Sequence, residues 1–403
     1  MAKFFLLFIT CLFILPQVNA QKAYNEVTLP ELLNKLQQKD PNMVVVDVRT
    51  RAEYYDTTSI YQQSNIGRIK GAINIPLQDF RKDPSIVHKL DVYKDKDIYV
   101  ICSHSYRSRV VSSLLLDSGF IHVNNTRGGM TEFFRRYNDV LPYKNDFYET
   151  AINYKNIAPA QLLKELSNNK SLLLINISNT PKYFWDSANV VFYKYYPSFK
   201  NGVNYNYADS LKILELVKKE KNKDVVLYNN TNYGAAELAR WLTEKGISNV
   251  SYLVGGTNLF YEYVVNENLT SANNFLKMNS GIHFITPSLY CNQMSSFQDA
   301  KFIDLRHDTV FNKITEGAKY NYRHLKNAVN FFEGKGVQEF KKLFPDKKIE
   351  HIFVSEDGIE GLELADNLTK AGYKINWIIG GMHRWEWYMN NVETFKCMDY
   401  LVN

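Results

Sequence analysis

Cysteine is scarce in this chain: there are four in 403 residues, and one of them, Cys11, lies inside an N-terminal apolar run. No metal-ligand cluster and no nucleotide-binding motif appear, so neither a resident metal nor a cofactor is expected. Beyond the first residues no stretch approaches 18 consecutive apolar positions, which excludes a membrane-spanning helix there and predicts no stable membrane anchor. The net charge of +6 is modest and is not gathered into one basic stripe. The densest charged run, Lys218 to Lys223, reads as a solvated helix end, so no nucleic-acid partner is expected.

What is present begins with a leader. Lys3 precedes an apolar run from Phe4 to Leu15, followed by Pro16 and the small-residue exit Val18-Asn19-Ala20. That order predicts a secretory signal peptide over residues 1–20 and a periplasmic or secreted mature protein. More apolar residues follow Cys11 within the run, the wrong setting for a lipid-anchored cysteine. Downstream, a composition of 45% hydrophobic and 14% aromatic residues is enough for several cores.

The mature chain repeats itself three times. DIYVICSHSYRSRVVSSLL, DVVLYNNTNYGAAELARWL and HIFVSEDGIEGLELADNL place Cys102, Asn229 and Ser355 at equivalent strand ends, 127 and 126 residues apart. A Gly-Gly pair follows each copy: Gly128-Gly129, Gly255-Gly256 and Gly380-Gly381. A period near 127 is too long for a solenoid and suits whole domains. In the first copy Thr28, Pro30 and Glu31 open a helix with a capping box. The runs Val44 to Val48, Gly71 to Leu77, Asp97 to Cys102 and His122 to Gly129 read as strands between helical segments. Continuous apolar strands alternating with helices imply parallel sheets buried on both faces. The expected fold is α/β, with three tandem three-layer domains, each a parallel sheet flanked by helices, over residues 21–146, 147–275 and 276–403. The polar tracts Tyr143 to Asn153 and Asn266 to Asn279 mark the junctions.

Only the first copy carries a thiol. Cys102 ends a buried strand, and a helix is expected to begin six residues later, with Arg109 to Ser112 well inside it. A loop wrapped over a helix N-terminus turns successive N–H groups inward and would hold a sulfur anion, either thiolate or persulfide. The thiolate is the attacking form.

These residues resemble the rhodanese family. The resemblance runs across most of residues 27–146: Asp47-Val48-Arg49 with Glu53-Tyr54, Gly67 to Pro76 (GRIKGAINIP), the loop Cys102 to Ser108, and Gly128-Gly129-Met130. The chain departs from the family pattern at Arg68, where a histidine is usual, at Ser105, often a glycine, and in a longer stretch between Tyr54 and Gly67. The resemblance implies a thiosulfate sulfurtransferase-like enzyme. Cys102 would take a sulfane sulfur from a small anionic donor and pass it to a thiol or cyanide acceptor. Ser103, His104, Ser105, Tyr106, Arg107 and Ser108 would form the active loop, with Arg107 and the loop amides binding the donor. Asp47 and Arg49 read as a buried supporting pair, and Arg68 either reaches the mouth or is a surface charge. His104 and Tyr106 either line that mouth or are ordinary loop residues. In the second and third copies Asp47 becomes Asn176 and Asp304, Arg49 is matched by Arg306 in the third, and Arg107 becomes Gly234 and Glu360.

Two other classes remain open. A non-catalytic binding or scaffold protein would use the degenerate domains for a protein partner, for example through Phe192 to Pro197. A phosphatase is disfavoured because Cys102 and Arg107 are separated by four residues, not the five that suit a phosphate. The odd count of mature cysteines suggests that Cys291 bonds Cys397 and leaves Cys102 free.

Overall fold

The computed structural model describes residues 23–58, 65–134, 143–168, 171–178, 194–229, 234–312, 324–391, 395–397 and 400–402. The expected leader, and Phe192 and Tyr193 of the aromatic run, lie outside the described residues. Three five-stranded sheets follow one another along the chain, each wholly parallel and flanked by helices. The first has the order Asn25–Val27, Val123–Thr126, Asp97–Ile101, Met43–Asp47, Ile73–Asn74. The second begins at the opposite edge as Val203–Asn206, Leu172–Ser178, Asp224–Tyr228, Val250–Leu253, Lys155–Ile157. The third is His283–Ile285, Lys374–Ile378, Glu350–Val354, Lys301–Asp304, Val329–Asn330. In every copy the strand that leads directly into position 102, 229 or 355 is the middle one.

The local chemistry explains these elements. Thr28 caps the helix Leu29–Gln38: its hydroxyl accepts from the Glu31 amide at 3.3 Å, and its own amide donates to the Glu31 carboxylate at 2.6 Å. Thr286 caps Pro287–Asn292 in the third copy, while Ala158 leaves Pro159–Ser167 uncapped by any side chain. The middle strands bury both faces; Ile98, Val100 and Ile101 are at 0% exposure, and each such side chain contributes about 1.5–3 kcal/mol by leaving water. Within Gly71 to Leu77 only Ile73–Asn74 is strand. Gly71 turns the chain at φ +75° on one side, and Pro76, which has no N–H to donate, ends the pairing on the other.

The junction tracts are more regular than their composition indicates. Tyr148–Glu149 pairs antiparallel with Arg68–Ile69, and Leu276–Lys277 pairs with Ser198–Phe199. At the C-terminus Leu401–Val402 pairs with His324–Leu325 in the same way. Cys397, just before it, is bonded to Cys291 of the helix Pro287–Asn292, and among the described residues Cys102 is the free cysteine. The domains also pack on one another. Asn156 donates to the Asn65 carbonyl at 3.0 Å, and Asp56 accepts from Thr150 and Ala151, joining the first and second. Tyr195 and Tyr196, from the aromatic run, are buried between the second and third, where Tyr196 donates to the Gly358 carbonyl.

The Gly-Gly pairs have a specific cause. The helix starting at Gly129 presses its first N–H groups onto the end of the middle strand: Met130 donates to the Cys102 carbonyl and Thr131 to the Ser103 carbonyl, both at 2.9 Å. The third copy repeats the contact, Met382 to Ser355 and His383 to Glu356. A Cβ on Gly129 would stand 2.3 Å from the Cys102 oxygen, and one on Gly381 would stand 2.3 Å from the Ser355 oxygen. Both glycines also have φ of +57°. Gly129→Ala is therefore expected to lower the urea midpoint by the equivalent of about 2–4 kcal/mol, combining backbone strain with overpacking. Gly71→Ala, at φ +75° but with nothing within 4 Å of its Cβ, should lose only the strain part. Equal losses in the two variants would refute the close-approach explanation.

Candidate active site

Cys102 follows directly on Ile101, which lies in register with Asp47 of the neighbouring strand. That register brings the segment after Asp47 beside the thiol loop. Arg49 grips Asp47 with Nε and Nη2 at 2.7–3.1 Å, and its Nη2 also donates to the Gly67 carbonyl at 2.8 Å. Both residues are at 0% exposure, so they support the loop from beneath without meeting solvent. Asn74 ties the next strand in, donating to the carbonyls of Asp47 and Arg49. Asp304, Arg306 and Asn330 repeat the Arg–Asp grip and the two asparagine bonds in the third copy.

The helix after Cys102 spans Tyr106–Asp117, so it begins four residues after the thiol rather than six. The loop is correspondingly tight. Ser105 accepts from the Gly128 amide at 2.9 Å through its hydroxyl, and its carbonyl accepts from Ser108 Oγ and the Arg109 amide. A glycine at 105 would lack that hydroxyl, so Ser105 adds a tether between the loop and the Gly-Gly turn. Cys102 Sγ lies 3.5 Å from Ser108 Oγ.

The expectation for Arg107 changes. Its guanidinium is held by Glu53 at 2.6 and 2.8 Å and by Ser103 Oγ at 2.6 Å, while Ser103 Oγ donates to Glu53 at 2.9 Å. The charge assigned to an anionic donor is thus already balanced by a carboxylate. Glu53 arrives on the one-turn helix Arg51–Tyr54, whose Thr50 cap also holds it. Burial alone would raise its carboxyl, but the bonds and charge of Arg107, with Thr50, outweigh burial and hold it at about 2. Arg68 differs as well. It pairs with Glu149 at 2.8 Å, donates to the Tyr54 carbonyl and lies over the rings of Tyr54 and Tyr55, because its strand pairs with the junction strand. It is a structural cation, not part of the mouth.

The mouth is a pocket of about 370 Å³. Cys102, His104, Tyr106 and Arg107 form one wall, and Leu77, Gln78 and Arg81, all from the helix Leu77–Lys82, form the other. Cys102 is only 1% exposed, and this pocket gives a reagent an approach to it. Tyr106 is 68% exposed on the rim. Arg81 has no ion pair among the described residues, which leaves it as the cation on hand for an anion. In the sequence Glu53 enters only as part of the Glu53-Tyr54 match; its position three residues after Thr50 is the capping-box signal that sequence reasoning missed, and its partner left no local signal. Arg81 gave no signal, since only the fold brings that helix to the loop. In the second copy residues 230–233 lie outside the described residues. In the third, Ser355 takes the thiol's position and its hydroxyl accepts from the Gly358 amide.

The protein-family model described as Rhodanese-like domain matches residues 28–136, 159–263 and 290–386. Similar curated proteins include the tRNA uridine(34) hydroxylase of Synechocystis sp., 34% identical over 119 residues, which cover 29% of this chain and 39% of that protein. Another, from Pectobacterium carotovorum subsp. carotovorum, is 32% identical over 98 residues, 24% of this chain and 25% of that one. The chain thus spans about a quarter to two fifths of the length of these relatives. Among solved structures, wild-type EanB is 13% identical with a TM-score of 0.28, covering 91% of this chain and 96% of that chain. The anaerobic ergothioneine biosynthesis enzyme from Chlorobium limicola is 14% identical with a TM-score of 0.27, covering 90% and 97%.

The Glu53 carboxyl supplies a pH test. Because its folded value is depressed from 4.5 to about 2, its stabilisation is complete above about pH 4.5 and is lost as pH falls toward 2. Glu53→Gln should cost roughly 3–5 kcal/mol at neutral pH by leaving Arg107 unpaired. The gap between wild-type and variant urea midpoints should narrow between pH 4.5 and 2. A gap independent of pH would show that the pair is not linked to stability.

Proposed function

Because the chain belongs to the rhodanese-like domain family, matched in all three of its sheets, we propose that it is a sulfurtransferase working through Cys102. One observation carries this reading: the free cysteine sits at the end of the middle strand, on the wall of a pocket that also holds Arg107 and Arg81. In the first half-reaction the Cys102 thiolate attacks the outer sulfur of thiosulfate. The sulfur–sulfur bond of the donor breaks, sulfite leaves with the electron pair, and a Cys102 persulfide forms. In the second, cyanide or a thiolate attacks the outer sulfur, and Cys102 leaves as thiolate. No external oxidant or reductant is needed. Arg81 draws the anionic donor to the pocket, and the Glu53-paired Arg107 fixes the loop that receives it.

The protein is proposed to be exported. The N-terminal charge, apolar run and small-residue exit support this, as does the Cys291–Cys397 bond, since disulfides persist in oxidising compartments. No helix among the described residues is long and apolar enough to cross a membrane. The stretch shared with the tRNA uridine(34) hydroxylases is the size of one domain of three, so their named activity on tRNA is a weaker reading for this chain. A non-catalytic binding role is the other alternative, and burial of Tyr195 and Tyr196 removes part of the surface it would use.

Incubation with thiosulfate should add one sulfur to the intact mass of the protein and, with cyanide, release thiocyanate. Cys102→Ser should do neither. Absence of both in the wild-type protein would move the function to binding. Arg81→Gln should raise the thiosulfate KM about fivefold with kcat unchanged, since an exposed charge contributes about 1 kcal/mol. The difference should shrink at high salt. An unchanged KM would remove Arg81 from donor capture.

A further inference from the structure

The third domain touches the active loop of the first. His104, two residues from the thiol and on the pocket wall, meets Trp387 edge-to-face, with ring centroids 6.3 Å apart and planes at 86°. Trp387 stands on the helix Gly381–Asn391, the third-domain counterpart of the helix that closes the active loop. The indole is itself held. The Arg384 guanidinium carbon lies 4.1 Å from its ring centroid, and Arg384 Nη2 donates to both oxygens of Glu262 at 2.6 Å. Glu262 belongs to the second domain, is 4% exposed, and also accepts from Tyr388 Oη. Asn266 donates to that same hydroxyl at 2.6 Å. A buried carboxylate therefore fixes a guanidinium, the guanidinium stacks on an indole, and the indole abuts the imidazole at the mouth.

We propose that Trp387 is a positioning residue that holds His104 as proton acceptor for thiol acceptors in the second half-reaction. The inference rests on the sulfur-transfer reading above. A thiol must lose its proton before it can attack the outer persulfide sulfur. The proton passes to the His104 imidazole, the thiolate pair forms the new sulfur–sulfur bond, and the old bond breaks to return Cys102 as thiolate. Sulfite attacks with no proton to lose, so it bypasses His104. The two domains that lack a thiol thus contribute to acceptor use through one contact.

The test uses full-length protein loaded with thiosulfate and checked by intact mass, then mixed with either dithiothreitol or sulfite. Trp387→Leu should load fully and discharge to sulfite at the wild-type rate, while discharge to dithiothreitol falls about tenfold. His104→Gln should fall at least as far, since general base catalysis is worth roughly 10²–10⁴-fold. Trp387→Phe, which keeps an aromatic ring, should recover most of the thiol rate. Equal loss toward both acceptors would make Trp387 merely structural, and no loss toward either would dismiss it; each result overturns the proposal. If the wild-type protein takes up no sulfur, the function proposed above fails, and the contact is judged separately from the His104 ring resonance. That resonance must shift in Trp387→Leu, because an aromatic neighbour has been removed, and an unmoved resonance overturns the contact as well.

Discussion

The structure depends on one close approach, the start of a helix pressed onto the carbonyls at the end of a middle strand. Met130 and Thr131 bond Cys102 and Ser103 there, and the distance leaves no room for a Cβ on Gly129. The contact satisfies strand-end carbonyls that would otherwise be buried without donors, and it takes up helix N–H groups that have no partner within their own helix. It also fixes the direction in which the chain leaves the strand, and so where a side chain at position 102 points. The same contact appears at Ser355 and, through Thr257, at Asn229. Three domains are one solution to the same steric problem.

On that shared frame the copies diverge in what they place at the strand end. The first puts a thiol there and surrounds it with an internally balanced cluster of Glu53, Ser103 and Arg107. Balancing matters because an isolated charge at that burial would cost several kcal/mol, whereas a paired and hydrogen-bonded one is tolerated. The consequence is a division of labour between arginines. Arg107 is spent on the loop, Arg68 on the junction strand and Arg49 on the floor beneath. Arg81, reaching in from the neighbouring helix, is left to meet a ligand. The third copy keeps the floor, in Asp304 and Arg306, but sets a serine and an acidic loop above it.

The copies without a thiol also act through packing. The first and second domains share a hydrophobic cluster, as do the second and third, and His104 with Trp387 links the first to the third. Each domain thus touches both others, so the thiol loop is not an isolated feature of one domain. Helix Gly381–Asn391 exposes one side to Glu262 and the mouth, and buries Met382 and Trp385 on the other against the core that the disulfide closes.

Much of this was legible in order along the chain. Apolar runs, the Thr28 cap and the paired glycines are local signals, fixed by the few residues around them, and they determined the parallel α/β class, the threefold repetition and the lone thiol at a strand end. The Asp47–Arg49 pair was equally plain, because two residues apart on one strand end leaves little choice of partner. What lay beyond the sequence was every contact whose partners are far apart in it: Arg107 with Glu53, Arg68 with Glu149, Arg81 at the pocket, Trp387 against His104. Those depend on how sheets, junction strands and domains stack, and a long side chain takes whichever opposite charge or ring that stacking brings within a few ångströms. The amino-acid order determined where the thiol would stand; only the tertiary structure decided which charges beside it are already paired and which are not.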